Sequence, residues 1–134
     1  MTTDPMPPPA ATLADQVSRL YDLVPGYHAT HLMEIARELG VWEALTDAPG
    51  LTSEDLATGL GTDPFYTDVL CRTAFSFALL ERDGAGWRMA PHFDQILGNP
   101  ESSFYLACAP RVHMVLGDDY PGYVGHFRAG TARS

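Results

Sequence analysis

Between Leu51 and Phe65 the chain starts one helix, stops it and starts another almost at once, and this constrains the fold more than any other feature. Thr52 and Asp55 have capping-box spacing, so hydroxyl and carboxylate can each satisfy a backbone N–H at a helix start. Gly59 and Gly61 end that short segment. Asp63 then suits an N-cap and Pro64 the first helical position, where no N–H is needed. The apolar spacing predicts a helix from there to about Leu80, with Phe65, Val69, Leu70, Ala74 and Phe77 as its buried face. Two helices about a tight glycine turn make a helix-turn-helix. Leu79–Arg82 and Trp87–Met89 flank Asp83-Gly84-Ala85-Gly86, which reads as a hairpin. A hairpin directly behind a helix-turn-helix is a wing. The expected fold is therefore mostly α, a winged helix-turn-helix with a small β-hairpin wing and extra helices at both ends.

The extra helices are read from periodicity. Thr12 and Asp15 form another capping box, ahead of Leu13, Val17, Leu20 and Val24 at helical spacing. Pro25-Gly26 breaks that helix. A second spans Tyr27 to Leu39, with Leu32, Ile35, Ala36 and Leu39 as its apolar stripe, Glu34, Arg37 and Glu38 facing elsewhere, and Gly40 as its stop. Val41, Trp42 and Leu45 form a short apolar turn or helix. Pro91 to Leu97 reads as another short helix. Ser102 or Ser103 is expected to start a helix kinked by Pro110, and Gly117–Gly122 reads as a turn before a last amphipathic turn at Tyr123, Val124 and Phe127. The expected division is a disordered Pro-rich lead-in over 1–11, a winged-helix domain over 12–98 and a helical extension over 99–134.

Charge narrows the function. The 17 acidic residues outnumber the 8 basic ones, all of them Arg, for a formal charge of −9. DNA binding draws most of its affinity from phosphate neutralisation, and the second helix of the motif offers Arg72 alone against Asp63 and Asp68. The wing's Arg82 and Arg88 are offset by Glu81 and Asp83. A nucleic-acid partner is not expected, nor is an anionic membrane surface. No apolar run reaches the roughly 18 residues of a membrane span, and the N-terminus lacks the basic and apolar regions of a secretory signal. Two cysteines without metal-ligand spacing suit a reducing cytoplasm.

Several side chains invite a chemical role. Tyr27, His28, His31, Tyr105, Arg111 and His113 either line a cavity for an aromatic or polar substrate or are ordinary packing with polar tips at the surface. Arg111, on a largely apolar segment, calls for an acidic partner or an anionic ligand. His28, His31 and Glu34 step along one helix, but Glu34 is rotated away, so the pattern reads as a polar face rather than a metal site. Cys71 and Cys108 both read as buried small hydrophobes. Asp118-Asp119 reads as a solvated turn. No catalytic residue, cofactor-binding residue or metal ligand is assigned.

The order of segments resembles the N-terminal dimerisation domain of class I S-adenosylmethionine-dependent methyltransferases of the small-molecule type. The residues that carry it are Pro25–Leu32, Ala36-Arg37-Glu38-Leu39-Gly40-Val41-Trp42-Glu43-Ala44-Leu45, Leu51–Ala57, Leu79-Leu80 and Trp87–His92. The resemblance implies a homodimer joined through the N- and C-terminal helices (13–45 and 104–127) and one wall of a small-molecule pocket. It also implies a Rossmann-like catalytic domain to hold S-adenosylmethionine, and this chain has no strand, Gly-rich turn and helix in that order. The chain is thus expected to be a dimerisation and substrate-lid domain that neither binds the cofactor nor transfers methyl groups by itself. The alternatives are a winged-helix transcriptional regulator and a free-standing small-molecule-binding dimer.

Overall fold

The structure, a computed structural model, describes residue 6 and residues 8–130. Of the lead-in expected over 1–11, residues 1–5 and 7 lie outside the described residues, as do 131–134 of the extension. The described residues form α1 (Leu13–Leu23), α2 (Pro25–Leu39), α3 (Val41–Asp47), α4 (Ser53–Leu60), α5 (Pro64–Ser76), β1 (Leu80–Asp83), β2 (Gly86–Met89), α6 (Ala109–Gly117) and α7 (Tyr120–Ala129), with a π-helical turn at Asp94–Gly98. The fold is mostly α with a two-stranded antiparallel wing.

Local chemistry explains most boundaries. The α1 capping box is complete: Asp15 N–H donates to the Thr12 hydroxyl at 3.1 Å, and Thr12 N–H to the Asp15 carboxylate at 2.8 Å. At α4 the Asp55 N–H donates to Thr52 Oγ1 at 3.1 Å, and at α5 the Tyr66 N–H donates to Asp63 Oδ1 at 3.0 Å. Gly40 stops α2 in the left-handed region at φ +82°, which a glycine adopts without steric cost.

The wing is stitched to the loop before α4. Leu80 pairs with Met89 and Arg82 with Trp87 in the β1–β2 register. Leu51 forms an antiparallel bridge to Trp87, with Trp87 N–H donating to Leu51 O at 2.9 Å and Gly50 N–H donating to Trp87 O at 2.8 Å. A Cβ at Gly86 would fall on the Gly50 carbonyl, so only glycine allows this approach.

The core gathers Trp42, Leu45, Leu56, Leu70, Cys71, Ala74, Leu80 and Trp87. Both tryptophans are fully buried and both indoles have partners: Trp42 donates to Met33 O at 3.3 Å and Trp87 to Ser53 Oγ at 2.8 Å.

Several expectations are corrected. The helix begun at Pro64 ends at Ser76 rather than near Leu80, because Ala78 turns left-handed at φ +58° to bring Leu79 and Leu80 back under the helices. Its buried face is Thr67, Leu70, Cys71 and Ala74; Phe65 and Val69 are exposed. On α2 the core side is Leu32, Glu34 and Ala36, while Ile35 and Leu39 are exposed. No helix starts at Ser102 or Ser103. Pro110 instead occupies the first turn of α6, where its missing N–H costs nothing. The same logic starts α7 at Tyr120 with Pro121 in its first turn, where a plain turn was expected. Cys108 is exposed rather than buried.

Candidate functional site

Where α2 meets α6 and the start of α7, a half-open cleft of about 500 Å³ forms, within the range of small-molecule sites. Its floor is Glu34, 5% exposed. Arg37 holds that carboxylate with both ends of its fork, Nε to Oε2 at 2.8 Å and Nη2 to Oε1 at 2.7 Å. Arg111 reaches it from α6, with Nη1 at 3.4 Å from Glu34 Oε1 and 3.5 Å from Glu38 Oε1. The Arg37 hydrogen bonds hold the Glu34 carboxyl below the usual glutamate range against the opposing effect of burial, with Arg111 helping. Glu34 also raises the Arg37 guanidinium further, so the pair stays charged.

One wall is aromatic. The Tyr27 and His31 rings lie 4.6 Å apart and tilted, one helical turn apart on α2. The opposite wall carries Arg111, His113, Met114 and Tyr120. The cleft therefore offers a guanidinium, two imidazoles and two phenols around a fixed carboxylate. Such a set orients a polar or aromatic ligand through hydrogen bonds and ring contacts.

Of the six side chains singled out in the sequence, the fold brings Tyr27, His31, Arg111 and His113 to this cleft. His28 is exposed and meets only the edge of the Tyr27 ring, at 5.6 Å. Tyr105 packs against the core instead, where burial pushes its hydroxyl pKa up. The acidic partner that Arg111 called for is Glu34 with Glu38. Glu34 itself was missed as a floor residue. Its i, i+3 spacing to Arg37 is the signal that a charge on the inner side of α2 has a partner.

The winged-helix surface has its cations engaged. Arg72 on α5 pairs with Asp68 at 2.6 Å, Arg88 on β2 pairs with Glu81 at 2.8 Å, and Arg82 stacks over the Trp87 ring at 4.0 Å. Among the described residues no three His, Cys, Asp or Glu side chains gather as metal ligands, and no helix is long and apolar enough to cross a membrane. Nor do the described residues fit S-adenosylmethionine. Gly59-Leu60-Gly61 joins two helices, and Gly84 and Gly86 belong to the wing turn, so neither presents a helix N-terminus behind a parallel strand.

A family model for the O-methyltransferase dimerisation domain matches residues 21–92, and the chain belongs to that family. No curated protein sequence matches it. Among solved structures, an O-methyltransferase family protein from Burkholderia thailandensis aligns with a TM-score of 0.69 at 18% identity, over 89% of this chain and 34% of that one. Human N-acetylserotonin methyltransferase, solved with S-adenosylmethionine, aligns with a TM-score of 0.68 at 23% identity, over 92% and 38%. The N,N-8-amino-8-demethyl-D-riboflavin dimethyltransferase of Streptomyces davawensis gives 0.56 at 28% identity, over 69% and 27%. The chain thus spans about a third of the length of the solved methyltransferases it resembles.

Proposed function

We propose that this chain is the dimerising, substrate-covering front-end domain of an S-adenosylmethionine-dependent O-methyltransferase. The observation that carries the reading is the apolar surface of the terminal helices. Neither α1 nor α7 buries a single residue, and α6 buries only Pro110, yet Leu13, Leu20, Val112, Val115, Val124 and Phe127 all stand more than half exposed. An acidic protein with that much exposed apolar area is built to meet another surface. A second copy satisfies the requirement symmetrically.

In this reading S-adenosylmethionine is held by a Rossmann-like domain of the enzyme, consistent with the misfit of the residues here. This domain contributes position and dryness. The cleft walled by Tyr27, His31, Arg111 and His113 holds part of a small-molecule methyl acceptor and keeps water from it. The free thiols of Cys71 and Cys108 suit a reducing cytoplasm. Sedimentation equilibrium of the 134-residue chain tests the central point. A mass twice that of the monomer at micromolar concentration is expected; a monomer at tens of micromolar overturns the reading.

A further inference from the structure

Arg111 is only half engaged by the protein. One nitrogen, Nη1, makes both of its contacts, at 3.4 Å to Glu34 Oε1 and 3.5 Å to Glu38 Oε1. Its other edge, Nε with Nη2, has no partner among the described residues. That is the edge with which Arg37 grips Glu34, two N–H groups matched to the two oxygens of a carboxylate. The Arg111 side chain is 58% exposed against 24% for Arg37, and it lines the cleft.

The surrounding carboxylates do not close that edge. Both oxygens of Glu34 are taken by Arg37 at 2.8 and 2.7 Å, so Arg111 meets it at the limit of a hydrogen bond. Glu38 is exposed and reaches the same Nη1 alone. The rest of the lining adds donors, the imidazoles of His31 and His113 and the phenols of Tyr27 and Tyr120. Tyr27 and His31 also set two rings 4.6 Å apart, a flat apolar surface in the same cleft as the guanidinium.

We infer that the cleft holds its ligand by a carboxylate, gripped by the free Nε–Nη2 edge of Arg111, with an aromatic ring lying against Tyr27 and His31. The inference rests on the small-molecule function proposed above and names the class of ligand, an aromatic carboxylic acid. Arg111 keeps its Nη1 contacts when the other edge is filled, so binding leaves the tie between α6 and α2 in place. An amine is the rival chemistry and is served worse. Glu34 has no oxygen to spare, and Glu38 and Asp118 are exposed carboxylates for which water competes. A neutral alcohol leaves the fork of Arg111 to water.

The test titrates the 134-residue chain with benzoate, benzyl alcohol and benzylamine, one ring carrying an anionic, a neutral and a cationic group. Nitrogen-15 spectra read both affinity and the Arg111 Nε–H resonance, which is assigned by its absence from Arg111→Lys. Benzoate is expected to bind at least about tenfold more tightly than benzyl alcohol and to shift that resonance. Arg111→Lys keeps the charge but not the fork, and should remove most of the preference while leaving the circular dichroism spectrum unchanged. Equal binding of benzoate and benzyl alcohol, a preference for benzylamine, or a benzoate preference that survives in Arg111→Lys overturns the assignment. Sedimentation of the same samples separates this from the dimerising function. A dimer without the benzoate preference overturns the ligand class alone, whereas a monomer that shows the preference overturns the dimer alone.

Discussion

Arg111 on α6 and Glu34 on α2, 77 positions apart in the chain, meet at 3.4 Å across the floor of the cleft. Glu34 is already gripped by Arg37, so Arg111 adds a second cation and ties α6 to α2 at the same time. Both ion pairs of Arg111 join helices far apart in the chain. Shape and charge in the cleft therefore depend on one carboxylate.

That dependence has a pH signature. The folded-state pKa of Glu34 lies below the ordinary value of 4.5, chiefly through the Arg37 hydrogen bonds. Its contribution to stability is therefore in place above 4.5 and is lost as pH falls through the lower folded value. Glu34→Gln keeps the side-chain shape and removes the charge. The variant should melt about 3–5 °C below the parent near neutral pH, and the gap should close as pH falls below 4.5 and through the lower folded value. Differential scanning fluorimetry across that range checks it. A gap that stays constant into acid would mean the ion pair contributes nothing to folding.

Ser53 offers a second prediction. Its hydroxyl accepts from the Trp87 indole at 2.8 Å and donates to Asp68 Oδ1 at 2.7 Å, linking the wing to the helix-turn-helix. Ser53→Ala leaves a fully buried indole N–H without its partner. A loss of about 1–2 kcal/mol in urea unfolding is expected. An unchanged midpoint would show that water or another group takes the hydroxyl's place.

How much of this was legible in the sequence divides along a physical line. Features set by a few neighbouring residues were readable: the Thr12 and Thr52 caps, Asp63 with Pro64, Gly40, and the glycine turn of the wing. Burial was readable only in part, because an apolar stripe records that a side chain leaves water and not which surface receives it. Phe65 and Val69 on α5, like Ile35 and Leu39 on α2, have the spacing of core residues and stand exposed. The same ambiguity hid Glu34, whose charge suggested solvent although its partners come from α2 and from a segment far along the chain. Arg111 was legible as a cation in want of an anion. His28 and Tyr105 were not separable from His31 and His113 without knowing which face of each segment meets the cleft.

The two cysteines should behave differently. Cys71 is fully buried, and burial with the nearby Asp68 charge pushes its thiol pKa up to about 11. Almost no thiolate exists there at neutral pH, and reagents react with the thiolate. Cys108 is exposed at the N-terminal end of α6. One thiol per chain should react promptly with an aromatic disulfide reagent in the folded protein, and the second only in denaturant. Cys108→Ser should abolish the prompt phase; its survival would show that Cys71 is reached by local opening.

The last prediction concerns the π-helical turn that carries the chain from the wing towards α6. Gly98, buried at its end, lies so close to α3 that an added Cβ would fall on the Thr46 side chain and near the Trp42 carbonyl. Thr46 is not free to move aside, because its hydroxyl donates to Trp42 O at 2.7 Å. Gly98→Ala must then displace either that hydrogen bond or the turn itself, at a cost of about 1–3 kcal/mol. Gly59, with open space around its Cβ position and a helical setting in α4, supplies the control. Gly59→Ala should be neutral or slightly stabilising, since it lowers the entropy of the unfolded chain. Equal effects of the two substitutions in chemical denaturation would show that the approach of the turn to α3 contributes little to folding.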